Sequence, residues 1–277
     1  MKILLLSLLM LVPTVPLLAQ ELPTITARSV VLFDANTGRV IYKKNENEQR
    51  AVASTQKLLT ALIIAESGGL SESVKITSGD TACEPTKLYL RPGQTYPRIQ
   101  LLNALLIKSA NDAARALARD NAGSVAAFAA RMNAYMQRLG GSSSNFVNPN
   151  GLPAEAQFST ARDMARVARA AYRNPSLRPI MKTIYFPLRF SSGKVSTLRN
   201  TNRVLRTYSF CNGMKTGYTV RAGHCLISSG SYNGRDVIAV VLGSNKARVW
   251  DESAGLLAFG LGIPTSRMDA FRLNSAD

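Results

Sequence analysis

At 277 residues, with 46% hydrophobic and 18% charged side chains, the chain can bury one large core or two small ones. Lys and Arg number 34 against 17 Asp and Glu, and the resulting net charge of +17 favours polyanionic surroundings. A single histidine and three scattered cysteines make no zinc spacing, so no metal and no cofactor is expected.

Met1-Lys2, the apolar stretch from Ile3 to Leu18 and the small Ala19 read as a secretory signal over residues 1–19. Pro13 and Pro16 interrupt that stretch, which is marginal in length for a membrane span. Residues 20–277 are then expected to form a single exported domain in the periplasm or extracytoplasmic envelope. An exported protein rarely meets nucleic acid, so nucleic acid is set aside as a partner. The positive charge suits contact with an anionic wall or membrane surface, and equally an evenly spread basic surface.

Ser29 to Tyr42 reads as two strands joined at the Asn36-Thr37-Gly38 turn. Next, Ser54 opens the apolar run Leu58 to Ala65, predicting a buried helix that begins near Ser54. A second apolar helix runs from Gln100 and stops at Lys108-Ser109-Ala110-Asn111, and another covers Asp112 to Ala122. Ser109 to Asn111 therefore occupies a junction between helices, where side chains can project into a cleft. Ser124 to Leu139 forms a further helix ended by Gly140-Gly141. Asn145 to Pro153 is a loop by its Asn, Pro and Gly content, and Ser159 or Thr160 caps a helix carrying Asp163 in its first turn. Met214 to Val220, Gly223 to Ser229 and Arg235 to Gly243 are strands, and the last helix spans about Asp251 to Phe259.

Cys83, Cys211 and Cys225 are odd in number, and a hairpin turn near Val220 to Ala222 would not set Cys211 opposite Cys225. Free, buried thiols are expected.

Chemistry is carried by three phrases in order: Ser54-Thr55-Gln56-Lys57, Ser109-Ala110-Asn111 and Lys215-Thr216-Gly217. A serine nucleophile needs a base, and with His224 far from any candidate serine in sequence, lysine is the natural substitute. Residues three apart share a helix face, which sets Lys57 beside Ser54. Each phrase is short. Ser191-Ser192-Gly193-Lys194 also fits the first pattern, and Ser143-Ser144-Asn145 and Ser231-Tyr232-Asn233 fit the second. Order, separation and setting favour the first set. Gly217 would let a substrate backbone approach its strand.

Together with Phe146 to Leu152, Ser159 to Ala165 and Lys215 to Leu226, these phrases resemble the D-alanyl-D-alanine carboxypeptidase family of low-molecular-mass penicillin-binding proteins, from about Ser29 to about Gly262. The family usually has proline before the small residue preceding its nucleophile, where this chain has Ala51-Val52-Ala53. The resemblance implies an α+β fold, a central antiparallel sheet flanked by helices plus a mainly helical region, with the site between them. It also implies that Ser54 attacks the bond between two D-alanines of a peptidoglycan stem peptide and that Lys57 is its base. Ser109 would relay a proton to the leaving amine, and Asn111 would hold the substrate amide and orient Lys57. Lys215 and Thr216 would bind the terminal carboxylate, and the Ser54 and Tyr218 N–H groups would hold the oxyanion. Arg248 stands either as a further carboxylate ligand or as an ordinary surface arginine. β-Lactam antibiotics would act as covalent inhibitors. His224 is expected to be a packed or half-exposed strand residue.

Three rivals remain. A class A β-lactamase would need a glutamate in a Glu-x-x-x-Asn setting, but Glu155 is followed at that offset by Ser159. A DD-endopeptidase cutting cross-links is credible, because no clear second domain follows and Ser266 to Arg272 lacks the pattern of an amphipathic membrane helix. A non-catalytic wall-binding module is disfavoured by the intact Ser54, Lys57 and Lys215.

Overall fold

Val237 to Leu242 is apolar at every position, a pattern a strand can use only when both of its faces are covered. The computed structural model describes residues 21–273, and in it this run lies within the middle strand of a five-stranded sheet. The expected signal segment lies outside the described residues.

In chain order the elements are β1 (Ser29–Asp34), β2 (Val40–Lys44), a 3-10 turn (Ala53–Gln56), α1 (Lys57–Ser67), β3 (Ser73–Lys75), α2 (Ser78–Thr81), β4 (Thr95–Pro97) and α3 (Arg98–Asn103). A π-helical segment (Ala104–Lys108) leads to α4 (Asn111–Ala122), α5 (Val125–Arg138), α6 (Ala161–Arg173) and α7 (Leu177–Lys182). Then come β5 (Tyr185–Arg189), β6 (Val195–Arg199), α8 (Arg203–Thr207), β7 (Cys211–Thr219), β8 (Gly223–Tyr232), β9 (Arg235–Ser244), α9 (Val249–Leu261) and a 3-10 helix (Thr265–Phe271). No helix among the described residues is long and apolar enough to cross a membrane.

The sheet order is β2-β1-β9-β8-β7 with every neighbouring pair antiparallel. Side chains alternate across a strand, so β1 and β9 feed two cores at once. Val31, Phe33, Ile238, Val240 and Leu242 face a large core shared with α1, α3, α4, α5, α6 and α7. Val30, Leu32, Val237, Ala239 and Val241 face a smaller core under α9. The expected α+β arrangement is therefore present.

Local signals explain most boundaries. Ser124 caps α5 by accepting from Ala127 N at 3.0 Å, and Thr160 caps α6 by accepting from Asp163 N at 3.0 Å. The boundary nearest the site is shifted from expectation. Ser54 sits on the 3-10 turn and the α-helix begins only at Lys57, with Ala53 held at φ +48°. The β5–β6 hairpin is not evident from sequence because Pro187 and the Ser191-Ser192-Gly193-Lys194 tip interrupt its alternation. That tip disposes of the competing Ser-x-x-Lys phrase: Ser191 and Lys194 are exposed, and Ser191 donates to Thr95 O at 2.9 Å. Of the two spare Ser-x-Asn phrases, Ser143 to Asn145 is a half-buried irregular segment before α6, and Ser231 to Asn233 spans the end of β8 and its turn into β9.

The thiols differ from expectation at one position. Cys211 and Cys225 are buried and Cys83 is half-exposed, all three free. The register pairs Cys211 with Gly230 and Cys225 with Gly217, so the two strand cysteines are never opposite one another. Cys83 escapes burial because it lies beyond α2 in the irregular stretch before Leu90.

Candidate active site

Ser54 is presented by the 3-10 turn at the N-terminal end of α1, against the middle of β7. Two glycines permit this approach. A Cβ on Gly217 would stand 2.8 Å from Ser54 N and 2.9 Å from Thr55 N, and one on Gly151 would stand 2.0 Å from Ala53 O. Gly151 also has φ +82°, which suits glycine.

One turn along α1, Lys57 is wholly buried. Its Nζ lies 2.7 Å from Ser54 Oγ, 2.7 Å from Asn111 Oδ1 and 2.6 Å from Asn150 O. Those three contacts match the three protons of an ammonium. A neutral amine can keep the two bonds to Asn111 and Asn150 and turn its lone pair to the Ser54 hydroxyl, which is the arrangement a general base requires. Burial, assisted by the charge of Lys215, holds the Lys57 ammonium well below the ordinary lysine value, against opposing pulls from Cys83 and Asp112.

Asn111 opens α4, directly after the left-handed Ser109 (φ +67°) and the extended Ala110. Its amide donates to Glu84 O at 2.8 Å and its backbone N–H to Thr86 O at 2.7 Å. Next to it, the buried Asp112 accepts from Leu88 N and Leu90 N, pinning the 84–90 segment over this corner of the site. Asn150 completes the frame, its Nδ2 donating to Asn111 O at 2.7 Å. The loop carrying it is tied to α1 by Thr60 Oγ1 on Pro149 O at 2.8 Å. The sequence marks Asn150 only as part of the glycine-bearing loop from Asn145 to Pro153, and its place in the site is set by the fold.

On the opposite wall, β7 supplies the third phrase. Lys215 is buried, its Nζ donates to Thr216 O at 2.9 Å, and burial pushes its pKa down to about 7. Thr216, Gly217 and Tyr218 border a cleft of about 400 Å³ with Ser54, Ser109 and Asn111. Eight of the nine expected site residues are thereby brought to one place, six on the lining and Lys57 and Lys215 beneath it. Arg248 is the exception. It is half-buried at the N-terminal boundary of α9 and is not among the lining residues, whereas its neighbours Val249 and Trp250 are. Arg248 Nε is buried without a hydrogen-bond partner among the described residues.

His224 pairs across from Tyr218 and stacks on it, ring centroids 4.4 Å apart, at the edge of the cleft. It is the half-exposed strand residue expected. Glu155 is exposed and is not among the residues lining the cleft, and the buried Ser159 is engaged with Ser144 at 2.7 Å. The arrangement a class A β-lactamase uses to activate water is therefore not assembled from Glu155. Among the described residues no cluster of His, Cys, Asp and Glu could hold a metal ion.

Residues 17–246 match the family model described as D-alanyl-D-alanine carboxypeptidase. The chain belongs to this family. The D-alanyl-D-alanine carboxypeptidase DacF of Bacillus subtilis (strain 168) is 36% identical over 224 residues, 79% of this chain and 58% of that protein. A D-alanyl-D-alanine endopeptidase of Escherichia coli (strain K12) is 33% identical over 225 residues, 79% of this chain and 72% of that protein. Among solved structures, the Streptomyces K15 DD-transpeptidase superposes with a TM-score of 0.82 at 28% identity, covering 87% of this chain and 99% of that one. The chain spans about three fifths of the length of DacF and of other curated carboxypeptidases it matches.

Proposed function

We propose that this protein is a serine D-alanyl-D-alanine carboxypeptidase that trims the terminal D-alanine from peptidoglycan stem peptides. The observation that carries it is the contact of Lys57 Nζ with Ser54 Oγ at 2.7 Å inside a pocket that disfavours the ammonium.

Ser54 Oγ attacks the carbonyl carbon of the penultimate D-alanine while its proton passes to Lys57 Nζ. The oxyanion that develops is held by the backbone N–H groups of Ser54 and Tyr218, in place before charge appears. The C–N bond then breaks as Ser109 hands its proton to the departing amine and recovers one from Lys57, so D-alanine leaves, Ser54 carries an ester and Lys57 is again neutral. Water attacks that ester with Lys57 again taking a proton, which passes back to Ser54 Oγ as the shortened peptide departs as the acid. Asn111 fixes Lys57 through Oδ1 and borders the path of the substrate amide, and Thr216, with Lys215 buried behind it, receives the terminal carboxylate. Arg248 is given no part in these steps. The substrate is extracytoplasmic, so the protein works outside the cytoplasm, in keeping with residues 1–19 as an export signal. β-Lactams, whose strained amide mimics the scissile bond, acylate the same serine.

The endopeptidase relative favours a second reading, cleavage of cross-links by the same serine. Incubating the protein with a pentapeptide stem and with a cross-linked dimer separates the two. Release of D-alanine from the stem is expected to dominate, and faster loss of dimer would replace the first reading by the second.

A further inference from the structure

The cleft poses a problem of charge. Its lining among the described residues includes no arginine or lysine side chain, and Lys215 lies beneath it, only 1% exposed, with its Nζ directed to Thr216 O. Among the lining side chains, a carboxylate seated here meets only neutral donors. Two hydroxyls stand ready. Thr201 Oγ1 and Thr216 Oγ1 are 2.6 Å apart, both residues are half-buried, and both border the cleft. Such a pair holds two protons and uses one between its oxygens. Neither hydroxyl has another hydrogen-bond partner among the described residues, so one proton is left to point outward.

Thr201 is also held with unusual care for a loop residue. Its backbone N–H donates to Ile107 O at 3.2 Å, two residues before Ser109. On either side stand the buried Asn200 and Asn202. Asn200 Nδ2 donates to Thr183 O at 2.9 Å, and Asn202 Nδ2 donates to Gly213 O at 2.8 Å while its Oδ1 caps α8. The Asn200-Thr201-Asn202 turn thus clamps the chain between the Ser109 segment and β7. A threonine serving only to fill space would not need its hydroxyl aimed at the one polar side chain of the third phrase that faces the cleft.

We propose that Thr201 is a positioning residue for the free carboxylate of the substrate, acting with Thr216 as a hydroxyl pair backed by Lys215 in place of a guanidinium clamp. This rests on the reading of Ser54 as the site of attack on a D-alanyl-D-alanine terminus. Whichever threonine donates within the pair, Thr201 fixes the rotor of Thr216 and leaves a single proton directed at the ligand. Hydrogen bonds to a charged acceptor are stronger than neutral ones, so losing this donor should weaken the acid and spare a neutral analogue.

The test measures binding to the otherwise full chain carrying Ser54→Ala, which separates recognition from chemistry. The probes are a diacetylated lysyl-D-alanyl-D-alanine peptide and its C-terminal amide. Thr201→Val is expected to weaken the acid about tenfold and leave the amide unchanged, with Thr201→Ser restoring the acid. If Thr201→Val does not fold, Thr201→Ala carries the same comparison. Equal loss on both probes, no loss on either, or a parent that binds acid and amide alike would each overturn the assignment. Penicillin acylation of the Ser54-containing protein reads the serine chemistry independently, so a failure of that broader reading remains distinguishable.

Discussion

Asn111 donates its amide to the carbonyl of Glu84 at 2.8 Å, which leaves Oδ1 as the face it turns to Lys57. That one external bond settles the orientation of the amide and with it the character of the lysine site: a neutral acceptor stands where a carboxylate would hold the proton on.

Asn111→Asp should therefore undo the lysine. A carboxylate 2.7 Å from Nζ favours the ammonium, raising the Lys57 pKa and removing the lone pair that Ser54 needs. Acylation by a labelled penicillin is expected to fall by about 100-fold near neutrality, and its pH profile to move to higher pH. An unshifted profile would show that Asn111 does not tune Lys57.

Ser54→Ala should abolish labelling, and Lys57→Arg should not rescue it, because a guanidinium stays charged and cannot accept the serine proton. The expected loss is at least about 10³-fold in each case, measured as acylation rate under excess penicillin. Arginine activity at this position would remove Lys57 as the base.

Gly217→Ala tests the close approach of β7 to the nucleophile turn. The new Cβ would meet two backbone nitrogens at 2.8 and 2.9 Å, neither of which can swing aside like a side-chain end. Overpacking of this kind costs roughly 1–3 kcal/mol, so a lowered melting temperature should accompany slower acylation.

The buried Lys215 predicts a pH dependence of stability. Its folded pKa is about 7 against 10.5 for an ordinary lysine. Between those values the unfolded chain keeps a proton that the folded chain has released, so stability rises with pH across this window. Relative to a Lys215→Met variant, the unfolding free energy should climb by up to about 1.4 kcal/mol per pH unit from near 7 towards 10.5, and level off outside it. Denaturant titrations of both proteins at several pH values give the difference directly, and parallel curves would contradict the assignment.

Thiol titration of the native protein should find one accessible cysteine, Cys83, with Cys211 and Cys225 reacting only after unfolding. Both strand thiols are buried, and burial pushes them up to about 12 and about 11, away from the reactive thiolate. Rapid reaction of two or more would mean that the sheet opens more readily than its packing implies.

Ser54 and Lys57 were legible in the sequence because their relation is local. Three residues of helical backbone, whether 3-10 or α, set two side chains on one face, and no distant part of the chain is needed to do it. The junction at Ser109 to Asn111 and the strand carrying Lys215 to Gly217 were legible for the same reason, each being marked by a change of periodicity within a few residues. The sequence by itself thus determined which residues gather at the cleft and the α+β class that presents them.

Only the tertiary structure decided how those groups act on one another. Lys57 meets Asn111 across 54 positions and the Asn150 carbonyl across 93, separations at which no periodic signal survives. Folding also placed Lys215 behind Thr216, left Arg248 outside the cleft lining, exposed Cys83 and brought Thr201 within 2.6 Å of Thr216. Burial and mutual charge are properties of the assembled interior rather than of any segment, so the lysine that can accept a proton exists only once both walls of the cleft have closed around it.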